Sequence, residues 1–217
     1  MYMIADPRNY LSVLTAECRK NWPANRIVTV VCHGHSVPAG YFRTPEVRSL
    51  ESYPHLLRVE LARRFPHAVI NVIVTAIGGE NSESGSERFE RDVLRLRPDV
   101  VTIDYSLNDR GIGLPRAYSA WSKMIIEAQK RDIRIILMTP TPDQAEILED
   151  MDKPLNQQAT QVRELADRFG VGLSDSLIAF KATVKAGTPL SELMSQGNHP
   201  NAAGHRLAAK ELFHWFP

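Results

Sequence analysis

The chain has 217 residues, 43% of them apolar and 24% charged, enough for one domain with a substantial core. A net charge of +1 excludes the basic footprint of a nucleic-acid binder or of a protein held on anionic lipid. Two cysteines, Cys18 and Cys32, form neither a disulfide framework nor a metal pattern, and no stretch approaches the ~18 apolar residues of a membrane span.

Residues 1–25 read as an N-terminal helical extension, and 26–217 as the core of a single domain spanning 1–217. The extension lacks a basic segment followed by a long apolar core, so no secretory signal is expected and the expected location is cytoplasmic. Residues 27–32 are a short, β-branched apolar run, the pattern of a strand covered on both faces. Gly34-His35-Ser36 follows it directly. Residues 53–65 carry apolar positions at helical spacing and stop before Pro66. A second strand is expected at 68–74, followed by Ile77-Gly78-Gly79-Glu80-Asn81-Ser82, and a helix at 86–96. The third strand, 100–105, leads into Ser106-Leu107-Asn108-Asp109. Then come a helix over 115–131, a strand over 133–138, a helix over 155–169 closed by Gly170, and a weaker strand at 171–174. Residues 151–154 and 185–197 read as loops or short irregular helices. Asn198-His199-Pro200-Asn201 precedes a last helix over 202–215.

Strands alternating with helices predict an α/β domain with a parallel sheet, whose ligands bind at the carboxyl ends of the strands. Those ends carry Ser36, a Gly78-Gly79 pair with accessible backbone N–H groups, and the Asn108 amide. His199 lies near the C-terminus. Together these are a nucleophile, a backbone donor, a side-chain donor and a base. Each alone has an ordinary structural explanation, such as a helix cap or a turn. Their combination points to acyl transfer through a serine.

In this order, the blocks resemble the SGNH hydrolase superfamily, the GDSL-type esterases and lipases. Gly34-His35-Ser36 matches the Gly-Asp-Ser block and residues 71–82 the second block. Ser106-Leu107-Asn108-Asp109 matches Gly-x-Asn-Asp, and Gln196 to Asn201 with Gly204-His205 match the His-Pro-Asn region. The resemblance implies a three-layer αβα sandwich, flavodoxin-like, around a parallel sheet of about five strands. It implies catalytic Ser36 and His199 and an oxyanion hole of Ser36, Gly79 and Asn108, with Gly78 the alternative donor. His35, Gly78, Asp109 and Tyr41 are candidate pocket residues. No cofactor, metal, nucleic acid or membrane is expected, and the partner is a small-molecule ester.

Three positions depart from the pattern. His35 stands where the family has aspartate, in a structural or a tuning role. Ser106 replaces a glycine. Gln196, three residues before His199, replaces the triad aspartate; it can orient the imidazole but carries no charge. Asp175 and Glu192 are candidates for a replacement acid. Tyr41 and Phe42 either line the pocket or pack against Tyr53 and Leu56. The expected activity is hydrolysis of short acyl esters, acetyl foremost, on a carbohydrate. The alternatives are a catalytically impaired protein that binds a glycan or acyl group, and a flavodoxin-like nucleotide domain, which lacks the required glycine fingerprints.

Overall fold

The computed structural model describes residues 3–217. Five strands, β1 (Val28–Gly34), β2 (Ile70–Val74), β3 (Val100–Asp104), β4 (Arg134–Met138) and β5 (Gly172–Ser174), form one parallel sheet. Its order is β2-β1-β3-β4-β5, so β3 lies at the centre between β1 and β4. The chain winds from β1 outward to β2 and then returns to β3 across β1. That reversal is a topological switch point, where two neighbouring loops separate and leave a crevice.

Alternate residues of each strand enter different cores. Val30, Cys32, Ile136 and Met138 pack beneath α1 (Ser12–Cys18), α3 (Tyr53–Arg64) and α9 (Ala202–Phe213). Val31, Val101, Ile135 and Leu137 pack beneath α4 (Ser82–Asp92), α6 (Leu114–Gln129) and α7 (Pro154–Phe169). The result is the expected three-layer sandwich. On α6 the buried residues Ala117, Trp121, Met124, Ile125 and Ala128 follow helical spacing. Each large apolar side chain removed from water there contributes about 1.5–3 kcal/mol. Helix α1 supplies Leu14 and Cys18 to the same core as α3 and α9. No helix among the described residues is long and apolar enough to cross a membrane.

The structure refines several boundaries. Strand β1 continues to Gly34, two residues past the expected end. Its last residue has to be glycine, because a Cβ there would lie 2.5 Å from the Asp104 carbonyl oxygen of β3. Helix α4 starts at Ser82 rather than at 86, because the Asn81 side chain accepts hydrogen bonds from the N–H groups of Glu83 and Ser84. At two strand ends the chain forms single-turn helices, α2 (Ser36–Ala39) and α5 (Ser106–Asp109). Residues 176–185 form α8 (Ser176–Lys185). Part of the expected loop beyond it pairs as β6 (Met194–Gln196) against β7 (His199–Pro200).

Candidate active site

Ser36 is the first residue of α2, directly after β1. The first N–H groups of a helix have no partner in the preceding turn, which leaves donors beside the hydroxyl. His35 caps this turn, its Nδ1 accepting from Val37 N at 3.3 Å. Gly40, at φ +90°, then reverses the chain. Residues 41–48 fold into a tight loop held by Phe42 N to Glu46 O and Arg48 N to Gly40 O.

His199 comes from the far end of the chain. Pairing of β6 with β7 fixes its backbone, and Asn201 caps α9 just beyond it, accepting from Ala203 N and Gly204 N. The fold brings the two residues together: His199 Nε2 lies 2.9 Å from Ser36 Oγ, and both side chains are buried.

The other ring nitrogen has two partners. His199 Nδ1 is 2.8 Å from the backbone carbonyl oxygen of Phe42 and 2.8 Å from Gln196 Nε2. A carbonyl can only accept, so the Phe42 contact needs a proton on Nδ1. That tautomer leaves Nε2 free to accept from Ser36. The Gln196 contact favours the reverse, because Thr44 N donates to Gln196 Oε1 at 3.0 Å and thereby turns the NH₂ group towards the ring. The histidine is thus satisfied in either tautomer, and only the first suits a general base. Burial lowers the His199 pKa below its usual 6.5; the Phe42 carbonyl opposes this, and His35 adds to the lowering.

The two sequence candidates for a replacement acid are elsewhere. Asp175 caps α8, binds Arg163 at 2.6 Å and accepts from Thr139 Oγ1 at 2.9 Å. Glu192 is exposed, and the His199 ring bonds to Phe42, Gln196 and Ser36 instead. The groups at His199 Nδ1 are the Phe42 main-chain carbonyl, which no side-chain motif encodes, and the Gln196 amide.

On the opposite wall, Ile77 N donates to Gly34 O and ties the glycine loop to the end of β1. Gly79 has φ +82°, with open space where a Cβ would be, so the backbone turn rather than crowding calls for glycine. Gly78 packs against the Tyr41 ring: a Cβ there would lie 3.0 Å from it. Tyr41 also approaches the His199 ring, centroid to centroid 6.1 Å, as a lining residue would. Phe42 instead is buried and stacks on His205 at 5.1 Å.

Asn108 Nδ2 donates to Glu80 O at 2.7 Å, which leaves its second amide hydrogen free to donate. The Glu80 side chain is in turn gripped by Arg88, whose Nε lies 3.0 and 2.9 Å from the two carboxylate oxygens. This ion pair anchors the loop after Gly79 and has no signature in the motifs.

Two expected pocket residues lie outside the pocket. Asp109 is completely buried; it accepts from Ser82 N at 2.7 Å and Trp121 Nε1 at 2.6 Å, and burial raises its pKa. It joins α4, α5 and α6 behind the cleft. His35 is also enclosed, behind Ser36, with Nδ1 3.3 Å from Ser36 Oγ and Nε2 3.3 Å from Asp104 Oδ1. Among the described residues no group of three or more His, Cys, Asp or Glu could hold a metal ion.

The family model of the GDSL-like lipases and acylhydrolases matches residues 32–207. An acetylxylan esterase from Geobacillus stearothermophilus is 27% identical over 158 residues, 67% of this chain and 72% of that one. The crystal structure of an acetylxylan esterase from the same organism superimposes with a TM-score of 0.77 at 22% identity, covering 87% of this chain and 94% of the other. Structures of catalytic mutants of that enzyme, at a serine, a histidine and an aspartate, superimpose with TM-scores of 0.76, 0.73 and 0.76 at 20%, 21% and 20% identity. They cover 91%, 89% and 91% of this chain and 96%, 94% and 96% of the others.

Proposed function

Since the chain belongs to the GDSL-like lipase/acylhydrolase family and is a carboxylic ester hydrolase, we propose that it removes short acyl groups, acetyl foremost, from a carbohydrate through an acyl-enzyme on Ser36. The observation that carries this reading is the 2.9 Å contact between Ser36 Oγ and His199 Nε2 on a ring whose Nδ1 faces the Phe42 carbonyl. The acetylxylan esterase relatives support acetyl as the acyl group and a sugar hydroxyl as the leaving group.

In this reaction Ser36 Oγ attacks the ester carbonyl carbon as its proton passes to His199 Nε2. The carbonyl electron pair moves onto oxygen, where the Ser36 and Gly79 N–H groups and the free Asn108 amide hydrogen stabilise it. Collapse breaks the bond to the sugar oxygen, which takes the proton from His199. Water then attacks the acyl carbon as it gives its proton to the same nitrogen; collapse breaks the bond to Ser36 Oγ, which takes that proton back from His199, and the acid is released. His199 must be neutral to begin, and the burial that lowers its pKa keeps it so at neutral pH.

A fluorophosphonate probe and hydrolysis of p-nitrophenyl acetate test this. Wild type is expected to label at Ser36 and to hydrolyse the ester; Ser36→Ala is expected to do neither. Equal hydrolysis by both proteins refutes the nucleophile. The uncharged Gln196 favours a rival reading, a glycan- or acyl-binding protein without turnover; for it, the probe would leave the wild type unlabelled.

A further inference from the structure

The family pattern has an aspartate beside the serine and another before the histidine; this chain has His35 and Gln196 instead. The structure links the two changes. Ser36 Oγ lies between two imidazoles, His199 Nε2 at 2.9 Å and His35 Nδ1 at 3.3 Å. Beyond His35 stands Asp104, the last residue of β3, with Oδ1 3.3 Å from His35 Nε2 and Oδ2 accepting from Tyr53 Oη at 3.0 Å. His199, Ser36, His35 and Asp104 form one continuous buried chain of contacts.

We propose that Asp104, through His35, is the acid of this site: it supplies from behind the nucleophile the negative charge that a triad aspartate would supply from behind His199. The proposal rests on the assignment of Ser36 and His199 as nucleophile and base.

Three observations support it. Val37 N donates to His35 Nδ1, so that nitrogen carries a lone pair and the proton sits on Nε2, facing the carboxylate. His35 Nε2 has no hydrogen-bond partner among the described residues and makes a charge contact with Asp104 Oδ1 at 3.3 Å. Asp104 makes no ion pair with lysine or arginine among the described residues, so its charge is not cancelled locally. His35 keeps its Nε2 proton throughout; the Ser36 proton still passes to His199. As His199 becomes an imidazolium, the buried carboxylate attracts it across a medium that screens far less than water.

The groups facing this chain come from every neighbouring element. Around His199 they are His35 from α2, Tyr41 from the following loop and His205 from α9. Around Asp104 and His35 they are Tyr53 from α3, Cys32 from β1 and the buried Asp109 from α5.

Asp104→Asn removes the charge and keeps the shape. Its kcat for p-nitrophenyl acetate is expected to fall about tenfold or more with KM unchanged, and the acid limb of kcat/KM to move to lower pH by about one unit. In a Gln196→Glu background, where His199 has a carboxylate of its own, the same substitution is expected to cost much less. A purely structural role for Asp104 would move neither the limb nor this coupling. An unmoved limb, or an equal loss in both backgrounds, overturns the proposal. If Asp104→Asn does not fold, His35→Asn decides: it retains a cap for Val37 N but removes the ring between Ser36 and Asp104. It is expected to lose activity by a similar factor, and full activity overturns the proposal. Labelling of wild-type Ser36 is measured first, so that failure of the nucleophile assignment is seen separately.

Discussion

Gln196→Glu places a carboxylate where the amide now lies, with no change in length. The amide nitrogen it replaces is 2.8 Å from His199 Nδ1. At about 4 Å between charge centres, an ion pair near a protein surface is worth about 4 kcal/mol in the Coulomb limit. Position 196 is only half-buried, so solvent screening reduces this to about 1–2 kcal/mol. That is about one pKa unit on His199 and about tenfold in the stability of the imidazolium. The change also removes the N–H that holds the unproductive tautomer, because a carboxylate can only accept. Thr44 N retains its acceptor. The expected result, measured as kcat and kcat/KM for p-nitrophenyl acetate from pH 5 to 9, has two parts. Above pH 8 kcat rises about tenfold. The acid limb moves up by about one unit, because a negative charge favours the protonated ring, so the variant loses its advantage as the pH falls. An unchanged kcat with an unmoved limb would refute the assignment of His199 as the base.

Two further outcomes follow from the same geometry. Asn108→Ala removes a donor from the proposed oxyanion hole and unties the Glu80 carbonyl; kcat is expected to drop about 10²–10³-fold with little change in KM, and a loss confined to KM would contradict that role. His33 and His205 are buried, and desolvation lowers each pKa from 6.5 to about 3, so both fold as neutral rings. Their contribution to stability is complete above pH 6.5 and falls as the pH drops towards 3, by about 1.4 kcal/mol per pH unit for each histidine. Denaturant midpoints at pH 7, 6 and 5 should decrease in that order, and a flat series would count against neutral burial of both rings.

The central strands were legible because residues 28–32, 100–103 and 135–138 are short, mostly apolar and rich in β-branched residues, as strands covered on both faces are. The helix starts were less legible: Asn81 moves α4 forward through side-chain bonds that periodicity does not register. The pairing of Ser36 with His199 could be anticipated from their places at the ends of elements. Gln196 beside the ring could be anticipated too, but the Phe42 carbonyl could not, because a carbonyl oxygen belongs to every residue and distinguishes none. Asp104 did leave a trace, a carboxylate closing an otherwise apolar strand, but nothing in the spacing connects it to His35. Asp109, adjacent to a motif asparagine, reads as a pocket residue; the Trp121 indole and the Ser82 N–H, both distant in sequence, bury it instead.

The Phe42 carbonyl has a consequence for heredity. An aspartate can be erased by a single nucleotide change, whereas no codon encodes the loss of a peptide oxygen. Its aim depends instead on the hairpin-like loop that bears it, pinned by Gly40, Glu46 and the Thr44–Gln196 bridge. Lineages with this arrangement can vary residue 42 among side chains that fill the space beside His205, but are constrained in the length of the segment from 40 to 48. Insertions there, rather than point substitutions, would disorient the histidine. In a directed-evolution library, that segment should tolerate exchange at positions other than Gly40 and reject changes of length.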